Sequence, residues 1–157
     1  MTTPDTSHRI HLAANDPAFP AKREAAFGAI MAAVASVVEP AGYALRGTTW
    51  ARETAVGKTA VHLQRSRYGF DVEISLRCLL ADGTLPETGP WAVADEVTLW
   101  HFAPDAASDP GTISYLDVHE NAGCLAAPMA ILRDQALPWL ERHHAGESPE
   151  ISPRPSP

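Results

Sequence analysis

The stretch Ala60–Cys78, AVHLQRSRYGFDVEISLRC, alternates apolar and polar residues on both sides of Tyr68-Gly69. Such alternation is typical of a strand with one buried face, and Tyr68-Gly69 suits a tight two-residue turn between two strands. A shift of one residue would mix the two faces, so the pattern also predicts the register of the hairpin. The facing pairs are Val61–Leu76, Leu63–Ile74 and Arg65–Val72 on one face, and His62–Ser75, Gln64–Glu73 and Ser66–Asp71 on the other.

Apolar residues recur at three- and four-residue spacing before and after this hairpin, which predicts two helices. The first runs from about Ala21 to Val38 and ends before Pro40. The second runs from about Leu125 to His143, and Pro138 should kink or split it. The expected core-facing residues are Phe27, Ile30, Met31, Val34, Val37 and Val38 in the first helix, and Leu125, Met129, Leu132, Ala136 and Leu140 in the second.

Three further segments rich in β-forming residues extend the predicted sheet: Tyr43–Glu53 with a bulge at Gly47, Val97–Phe102, and Ile113–Val118. The predicted fold class is therefore α+β, with an antiparallel sheet around the central hairpin (about 60–78) packed against an N-terminal and a C-terminal helix. We expect an extended lead-in over residues 1–20, a single domain over 21–145, and a Pro/Ser tail over 146–157. The tail has too little apolar surface to offset its ordering entropy, so we expect it to be disordered.

The composition restricts the classes of function. The net charge is -7 and only 12 residues are Lys or Arg, which argues against nucleic-acid binding, because such affinity comes largely from neutralised phosphates. The N-terminus has no basic region followed by an apolar core, and the apolar run Ala29–Val38 is shorter than a membrane span. We therefore expect a cytoplasmic protein without a membrane partner. No motif indicates a cofactor, and Cys78 and Cys124 are expected to be small buried residues.

The polar face of the hairpin is the main candidate site. His62, Gln64 and Ser66 lie on one strand, across from Glu73 and Ser75 on the other. An imidazole, an amide and a carboxylate within cross-strand reach can bind a polar ligand or transfer a proton. The alternative is a solvated face, which antiparallel sheets commonly have.

The tip of the hairpin carries a cluster of basic and aromatic residues, Arg65, Arg67 and Tyr68. Arginine is a bidentate donor to anions, so this cluster is a candidate anion site. The alternative is an ordinary exposed tip. Arg65 falls on the apolar face, where we expect it either to leave the core or to pair with an acid.

Tryptophan residues supply a third candidate, because Trp50 with Arg52 could line a stacking pocket. A second such group is Trp91, Trp100 and His101. Tryptophans in strands are more often part of the core, and that alternative stays open. Trp100 follows Leu99, so only one of these two is expected to face the core.

Metal binding has weak support. Asp117, His119 and Glu120 have the chemistry of metal ligands, and His143-His144 add two imidazoles. Their spacing matches no recognised motif, so no metal site is predicted.

Several of these segments together resemble a known family. They are Ala41-Gly42-Tyr43, Thr49-Trp50-Ala51-Arg52, Val61-His62-Leu63-Gln64-Arg65-Ser66-Arg67-Tyr68-Gly69, and Ala136-Leu137-Pro138-Trp139-Leu140. In this order they resemble the bacterial family of domain of unknown function 4304. Family members carry an Asn in the strand after the turn, where this chain has Glu73-Ile74-Ser75. The resemblance implies an α+β fold and brings no activity with it.

The leading functional hypothesis is a non-catalytic module that binds a protein partner or a small polar ligand on the sheet face. The alternative is a small enzyme of a biosynthetic or modification pathway that uses His62 or Glu73 as acid or base. An immunity- or regulator-like protein is compatible with the acidic charge. Whether the chain is an enzyme, and its oligomeric state, stay open at this stage.

Overall fold

The computed structural model describes residues 6–55, 57–80, 83 and 97–144, and their side chains other than those of Thr6, His143 and His144. Trp91, most of the segment 81–90, which the sequence predicts to be a loop, and the predicted tail lie outside the described residues. The strands are β1 (Ala44–Arg46), β2 (Thr49–Glu53), β3 (Gly57–Arg65), β4 (Asp71–Leu80), β5 (Val97–Thr98) and β6 (Thr112–Ser114). In the described part of the chain they form one antiparallel sheet in the order β1-β2-β3-β4-β5, and β6 also pairs with β4.

The central hairpin has the predicted register, since β3 and β4 pair Leu63 with Ile74 and His62 with Ser75. The predicted two-residue turn is wrong, because the loop contains the four residues Arg67–Phe70. The Ser66 amide donates to Asp71 O at 3.0 Å, and the Gly69 amide donates to Ser66 O at 3.2 Å. A two-residue and a four-residue loop centred on the same bond give the same register, so the pairing was predicted correctly despite the wrong turn.

The predicted single strand Tyr43–Glu53 is wrong and is replaced by a second hairpin. β1 and β2 pair Arg46 with Thr49, and Gly47 lies in the turn between them with a φ of 65°. A residue with a side chain adopts this left-handed conformation only at a cost. Gly47 therefore reverses the chain and does not form a bulge.

β5 and β6 form one edge of the sheet in two pieces. Both pair with β4, and between them the Ile74 amide donates to Gly111 O at 2.8 Å. The predicted strand Val97–Phe102 is therefore correct only for Val97–Thr98, because Leu99–Phe102 forms a 3-10 turn that leaves the sheet. Leu99 is buried and Trp100 is half-buried, so only Leu99 belongs to the core, as predicted.

The helices are α1 (Thr6–Ala14), α2 (Phe19–Val38), α3 (Tyr115–Glu120), α4 (Ala126–Ile131) and α5 (Leu137–His144). The prediction of an extended lead-in over residues 1–20 is wrong. The helix α1 occupies part of that segment, and α2 already begins at Phe19, with Pro20 in its first turn. The predicted strand Ile113–Val118 is also wrong beyond Ser114. From Tyr115 the chain is helical, and the buried residues Tyr115 and Val118 are three positions apart. An apolar run this short fits a helix and a strand equally well, so the sequence pattern could not decide between them.

The closing helix is continuous but irregular. A π-helical turn, Leu132–Ala136, joins α4 to α5, and the Leu137 amide donates to Leu132 O. Pro138 follows this turn and has no amide hydrogen to give to a carbonyl one turn earlier. The irregularity predicted around Pro138 therefore takes the form of a wider turn just before it. The five predicted core residues of this helix are all buried.

The core lies between the helices and one face of the sheet. Ile30, Val34 and Val38 of α2 are fully buried, whereas Phe27, Met31 and Val37 are half-buried. The sheet contributes the predicted apolar face of the hairpin, and the apolar residues on it are Val61, Leu63, Val72, Ile74, Leu76 and Cys78. The opposite face of the sheet carries the predicted polar residues.

The helix α2 is more apolar than the sequence analysis allowed. An 18-residue window within Phe19–Ala41 has a mean hydropathy of 1.4, which meets the length and composition of a membrane span. Within that window 22% of the residues are buried inside the protein. The buried ones pack into the core, as the apolar stripe of a soluble helix also does.

Candidate functional site

A row of four polar residues crosses the face of the sheet opposite the helices. We call this the open face, because the described helices pack against the other one. The register places Thr49 of β2 beside His62 of β3, His62 beside Ser75 of β4, and Ser75 beside Thr98 of β5. Side chains of directly facing residues in an antiparallel sheet are close enough to interact. We call Thr49, His62, Ser75 and Thr98 the central row.

Accessibility falls toward the middle of this face. Ser75 has 0% of its surface exposed, and His62 and Thr98 beside it are half-buried. Gln64 and Arg77, farther along the strands, are exposed. The face is therefore not evenly solvated, and its most enclosed polar group is the Ser75 hydroxyl.

The Ser75 hydroxyl has no hydrogen-bond partner among the described residues. A buried hydroxyl without a partner is costly, at about 1–3 kcal/mol, so such groups are rare in folded proteins. An alanine or a valine would fill the position without this cost. The serine is thus a poor choice for stability alone.

Hydrogen bonds orient the imidazole in the row. Thr49 Oγ1 lies 2.7 Å from His62 Nδ1, and which atom donates depends on the tautomer. The His62 ring is thereby held by Thr49 beside Ser75. At the other end of the row, the Thr98 backbone amide lies 3.2 Å from Nδ1 of a different histidine, His101, in the 3-10 turn that follows β5.

Charged residues occupy the two ends of the open face. The carboxylates of Asp71 and Glu73 lie toward the hairpin loop, and the cations of Lys58 and Arg77 lie toward the opposite end of the strands. The central row itself carries hydroxyl and imidazole groups. Arg46 of β1 faces Thr49 at one end of the row, and Glu53 of β2 faces Lys58, so charges of both signs surround a row of hydroxyl and imidazole groups.

Of the predicted site residues, His62, Gln64, Glu73 and Ser75 lie together on the open face. The Ser66 hydroxyl instead accepts hydrogen bonds from the Gly69 and Asp71 amides at 3.1 and 3.4 Å, so it stabilises the backbone of the hairpin loop.

Two more predicted site residues, Arg67 and Tyr68, are exposed in the hairpin loop, and 81% of the Tyr68 surface is accessible. They contribute no enclosed surface.

The predicted stacking pocket of Trp50 and Arg52 is not present, because both side chains point to the helix-covered face. Trp50 is fully buried in the core and donates to Glu39 Oε1 at 3.3 Å. Arg52 pairs with Glu141 of α5. The core alternative for Trp50 is therefore correct.

The cysteines and the acidic cluster take no part in the central row. Cys78 is buried as predicted, and burial raises its pKa to about 11. Cys124 is exposed, contrary to the prediction, and partial desolvation of its thiol together with the charge of Asp117 raises its pKa. A raised pKa disfavours the reactive thiolate in both. Asp117 and Glu120 both accept hydrogen bonds from Arg9, at 2.9 and 3.1 Å.

A separate cavity of about 300 Å³ lies between the loop before β6 and the helices α3 and α4. Its walls include Asp109, Ser114, Cys124 and Ile131. Asp109 is occupied by hydrogen bonds to the Gly111 amide and the Thr112 hydroxyl. The cavity contains no residue of the central row.

Sequence reasoning missed Thr49 and Thr98. Their place in the row depends on the pairing of β2 with β3 and of β5 with β4, and neither pairing follows from local alternation. A partial signal was present for Thr49, because its neighbour Trp50 is a core candidate and adjacent strand residues face opposite sides.

Comparisons with family models, with curated proteins and with solved structures gave no match to this chain. The resemblance to the family of domain of unknown function 4304 therefore stays a prediction that depends on the quoted residues.

Proposed function

We propose that this chain is a non-catalytic binding module whose open sheet face binds a small polar ligand. The observation that carries the proposal is the buried Ser75 hydroxyl, which has no hydrogen-bond partner among the described residues and lies next to an oriented imidazole. A ligand oxygen or nitrogen at this place would satisfy the hydroxyl. Binding sites commonly retain such polar groups at some cost to stability.

The burial pattern favours a small ligand over a protein partner. A protein partner needs a broad accessible surface, on the order of 800 Å² for each partner of a standard interface. Here the most enclosed position is at the centre, and accessibility rises toward Gln64 and Arg77 at the margins. We propose a neutral or zwitterionic ligand with hydroxyl or amide groups, because the central row offers hydroxyls and an imidazole and the charged residues around it are of both signs.

The experiment that tests this proposal is a ligand screen with a matched pair of serine variants. The ¹⁵N-labelled protein is titrated with a panel of sugars, neutral amino acids and nucleosides, and amide shifts are recorded. We expect at least one compound to shift the amides of Ser75, His62 and Thr98 in a saturable way. A clearly weaker response in Ser75→Ala, with an unchanged response in Ser66→Ala, supports the site, because the Ser66 hydroxyl serves only the loop in the described contacts.

The enzyme alternative has one specific observation in its favour. The Thr49–His62 hydrogen bond orients the ring next to a hydroxyl, and Glu73 lies on the same face, diagonal to His62. Positioned imidazoles and carboxylates act as general acids and bases. This alternative predicts that a compound bound on the face is chemically changed over time, and that His62→Gln stops the change without releasing the compound.

A further inference from the structure

A second polar cluster lies on the other side of the sheet, where the hairpin tip meets α2 and α3. Arg65 does leave the core and pair with an acid, since its Nη2 lies 2.6 Å from Glu24 Oε1. Its guanidinium also lies over the Phe27 ring, 4.2 Å from the centroid, and 5.9 Å from the Tyr115 centroid. Arg23 approaches the same Glu24 oxygen with its Nε at 3.6 Å.

One carboxylate oxygen thus faces two guanidinium groups. It is within hydrogen-bond distance of Arg65 only, and the buried Arg23 Nε has no hydrogen-bond partner among the described residues. The two guanidinium groups thus share one carboxylate, and the next acid whose charge reaches the cluster is Asp71, which acts on Tyr115.

A second donor without a partner lies in the same cluster. Tyr115 is 1% exposed, and its hydroxyl has no hydrogen-bond partner in the described ranges. Burial raises the pKa of Tyr115, although the neighbouring Arg65 guanidinium lowers it. Arg65 can only donate, so the phenol hydrogen has no acceptor among the described residues. Of the side-chain polar atoms in the described residues that are buried without a partner, two belong to this one cluster.

We infer that Arg23, Arg65 and Tyr115 form a binding site for the phosphoryl group of a small molecule. A phosphoryl group presents three oxygens in a tetrahedral arrangement and can accept from both guanidinium groups and from the phenol at once. The single Glu24 oxygen cannot do this. Glu24, whose side chain is 57% exposed, can turn outward when the anion binds.

The site remains reachable from solvent. The side chains of Arg23 and Arg65 are 33% and 38% exposed, so their guanidinium groups are partly accessible. The Arg23 guanidinium lies against the backbone of the hairpin loop, since a Cβ on Gly69 would be 3.0 Å from Arg23 Nη1. The site thus combines an accessible charge with a buried phenol.

Calorimetric titration of the full chain with inorganic phosphate and with phenyl phosphate tests this inference. We expect saturable binding, at least tenfold weaker in Arg23→Gln and about tenfold weaker in Tyr115→Phe, which loses one hydrogen bond to a charged group. Glu24→Gln should bind about fivefold more tightly, because one negative charge about 4 Å away is removed. Tighter binding of phenyl phosphate than of inorganic phosphate would identify a phosphorylated ligand, and the reverse order would identify free phosphate.

The control is Arg133→Gln, since Arg133 is an exposed arginine that pairs with its neighbour Asp134. Its phosphate affinity should equal that of the wild type, and thermal unfolding should show that every variant is folded. The inference is overturned if wild-type protein binds neither compound saturably, or if Arg23→Gln and Tyr115→Phe bind as tightly as the control. Neither result depends on whether the central row binds a ligand.

Discussion

At the scale of single residues, two serines that look alike in the sequence differ in their contacts. Ser75 is buried and its hydroxyl has no partner in the described part of the chain, whereas the Ser66 hydroxyl accepts two backbone hydrogen bonds. Both were predicted as site residues from the same alternation. The two serines differ only in the atoms that surround their hydroxyls in the folded sheet. Those contacts cannot be read from the alternation of the sequence.

This difference predicts opposite effects on stability. Ser75→Ala should raise the free energy of unfolding by about 1 kcal/mol, because it removes a buried hydroxyl that makes no hydrogen bond with the described residues. Ser66→Ala should lower it by about 1 kcal/mol, because two loop amides lose an acceptor. Urea denaturation of both variants measures these changes. Equal destabilisation by the two substitutions would show that Ser75 is bonded within the folded protein.

A buried tyrosine predicts how stability depends on pH. The Tyr43 hydroxyl lies 2.9 Å from Thr59 Oγ1, and burial raises the pKa of Tyr43 to about 12 from a usual value of 10.0. Because the folded-state pKa is higher, the folded protein binds the proton more tightly than the unfolded chain. The contribution of Tyr43 to the free energy of unfolding is therefore fully present below pH 10 and is lost as the pH rises from 10 to 12.

Denaturation of the wild type and of Tyr43→Phe between pH 8 and pH 12 measures this contribution. The wild type should lose about 1–3 kcal/mol more than the variant between pH 10 and pH 12. The variant removes the ionisable hydroxyl and keeps the ring, so its difference from the wild type isolates Tyr43 from other groups that titrate there. Parallel curves for the two proteins would contradict the assigned burial.

At the scale of elements, the close approach of two strands predicts a strong effect at one glycine. A Cβ on Gly57 would lie 2.2 Å from Leu79 O, a backbone atom that cannot rotate away. Gly57→Ala should therefore lower the free energy of unfolding by roughly 2 kcal/mol or more. Gly28→Ala is the matched control. A Cβ on Gly28 meets nothing within 4 Å, so that variant should gain about 0.5–1 kcal/mol of helix propensity.

Chemical denaturation of these two glycine variants gives both values. If Gly57→Ala were as stable as the wild type, the pairing of Gly57 with Leu80 at the end of β3 and β4 would be wrong.

Elements with a long periodic pattern could be predicted from the sequence, and short ones could not. The central hairpin, α2 and the core residues of the closing helix follow from spacing that repeats over several turns or strand pairs. The helix α1 was missed because its sequence, TSHRIHLAA, has too few apolar residues to form a stripe. Its contacts with the rest of the chain include ion pairs of Arg9 with Asp117 and Glu120, which are more than 100 residues away and leave no local pattern in the sequence.

At the scale of the whole molecule, those ion pairs predict a weakly attached N-terminal helix. Arg9→Gln should lower the global free energy of unfolding by less than about 1 kcal/mol, because exposed pairs contribute little. Amide hydrogen exchange in α1 should nevertheless become faster, while exchange in the central hairpin stays unchanged. Hydrogen exchange followed by mass spectrometry measures both regions in one experiment. Unchanged exchange in α1 would mean that apolar contacts, such as those of the buried Ala13, hold the helix.

The arrangement of the whole sheet places the candidate site. The helices cover one face, and the central row crosses four strands of the other, so its parts come from sequence positions between 49 and 98. Half of the row, His62 and Ser75, could be predicted because the two residues face each other within one hairpin. Thr49 and Thr98 could not, because strand order is decided by packing of the complete chain.

The most direct test is the affinity of the tightest compound from the sugar, amino-acid and nucleoside panel for wild-type protein, Ser75→Ala and Ser66→Ala. We expect Ser75→Ala to weaken binding about tenfold, the equivalent of one buried hydrogen bond, and Ser66→Ala to leave it within about twofold. Equal affinities for all three proteins, or no saturable binding by any compound of the panel, would contradict a ligand site at the central row.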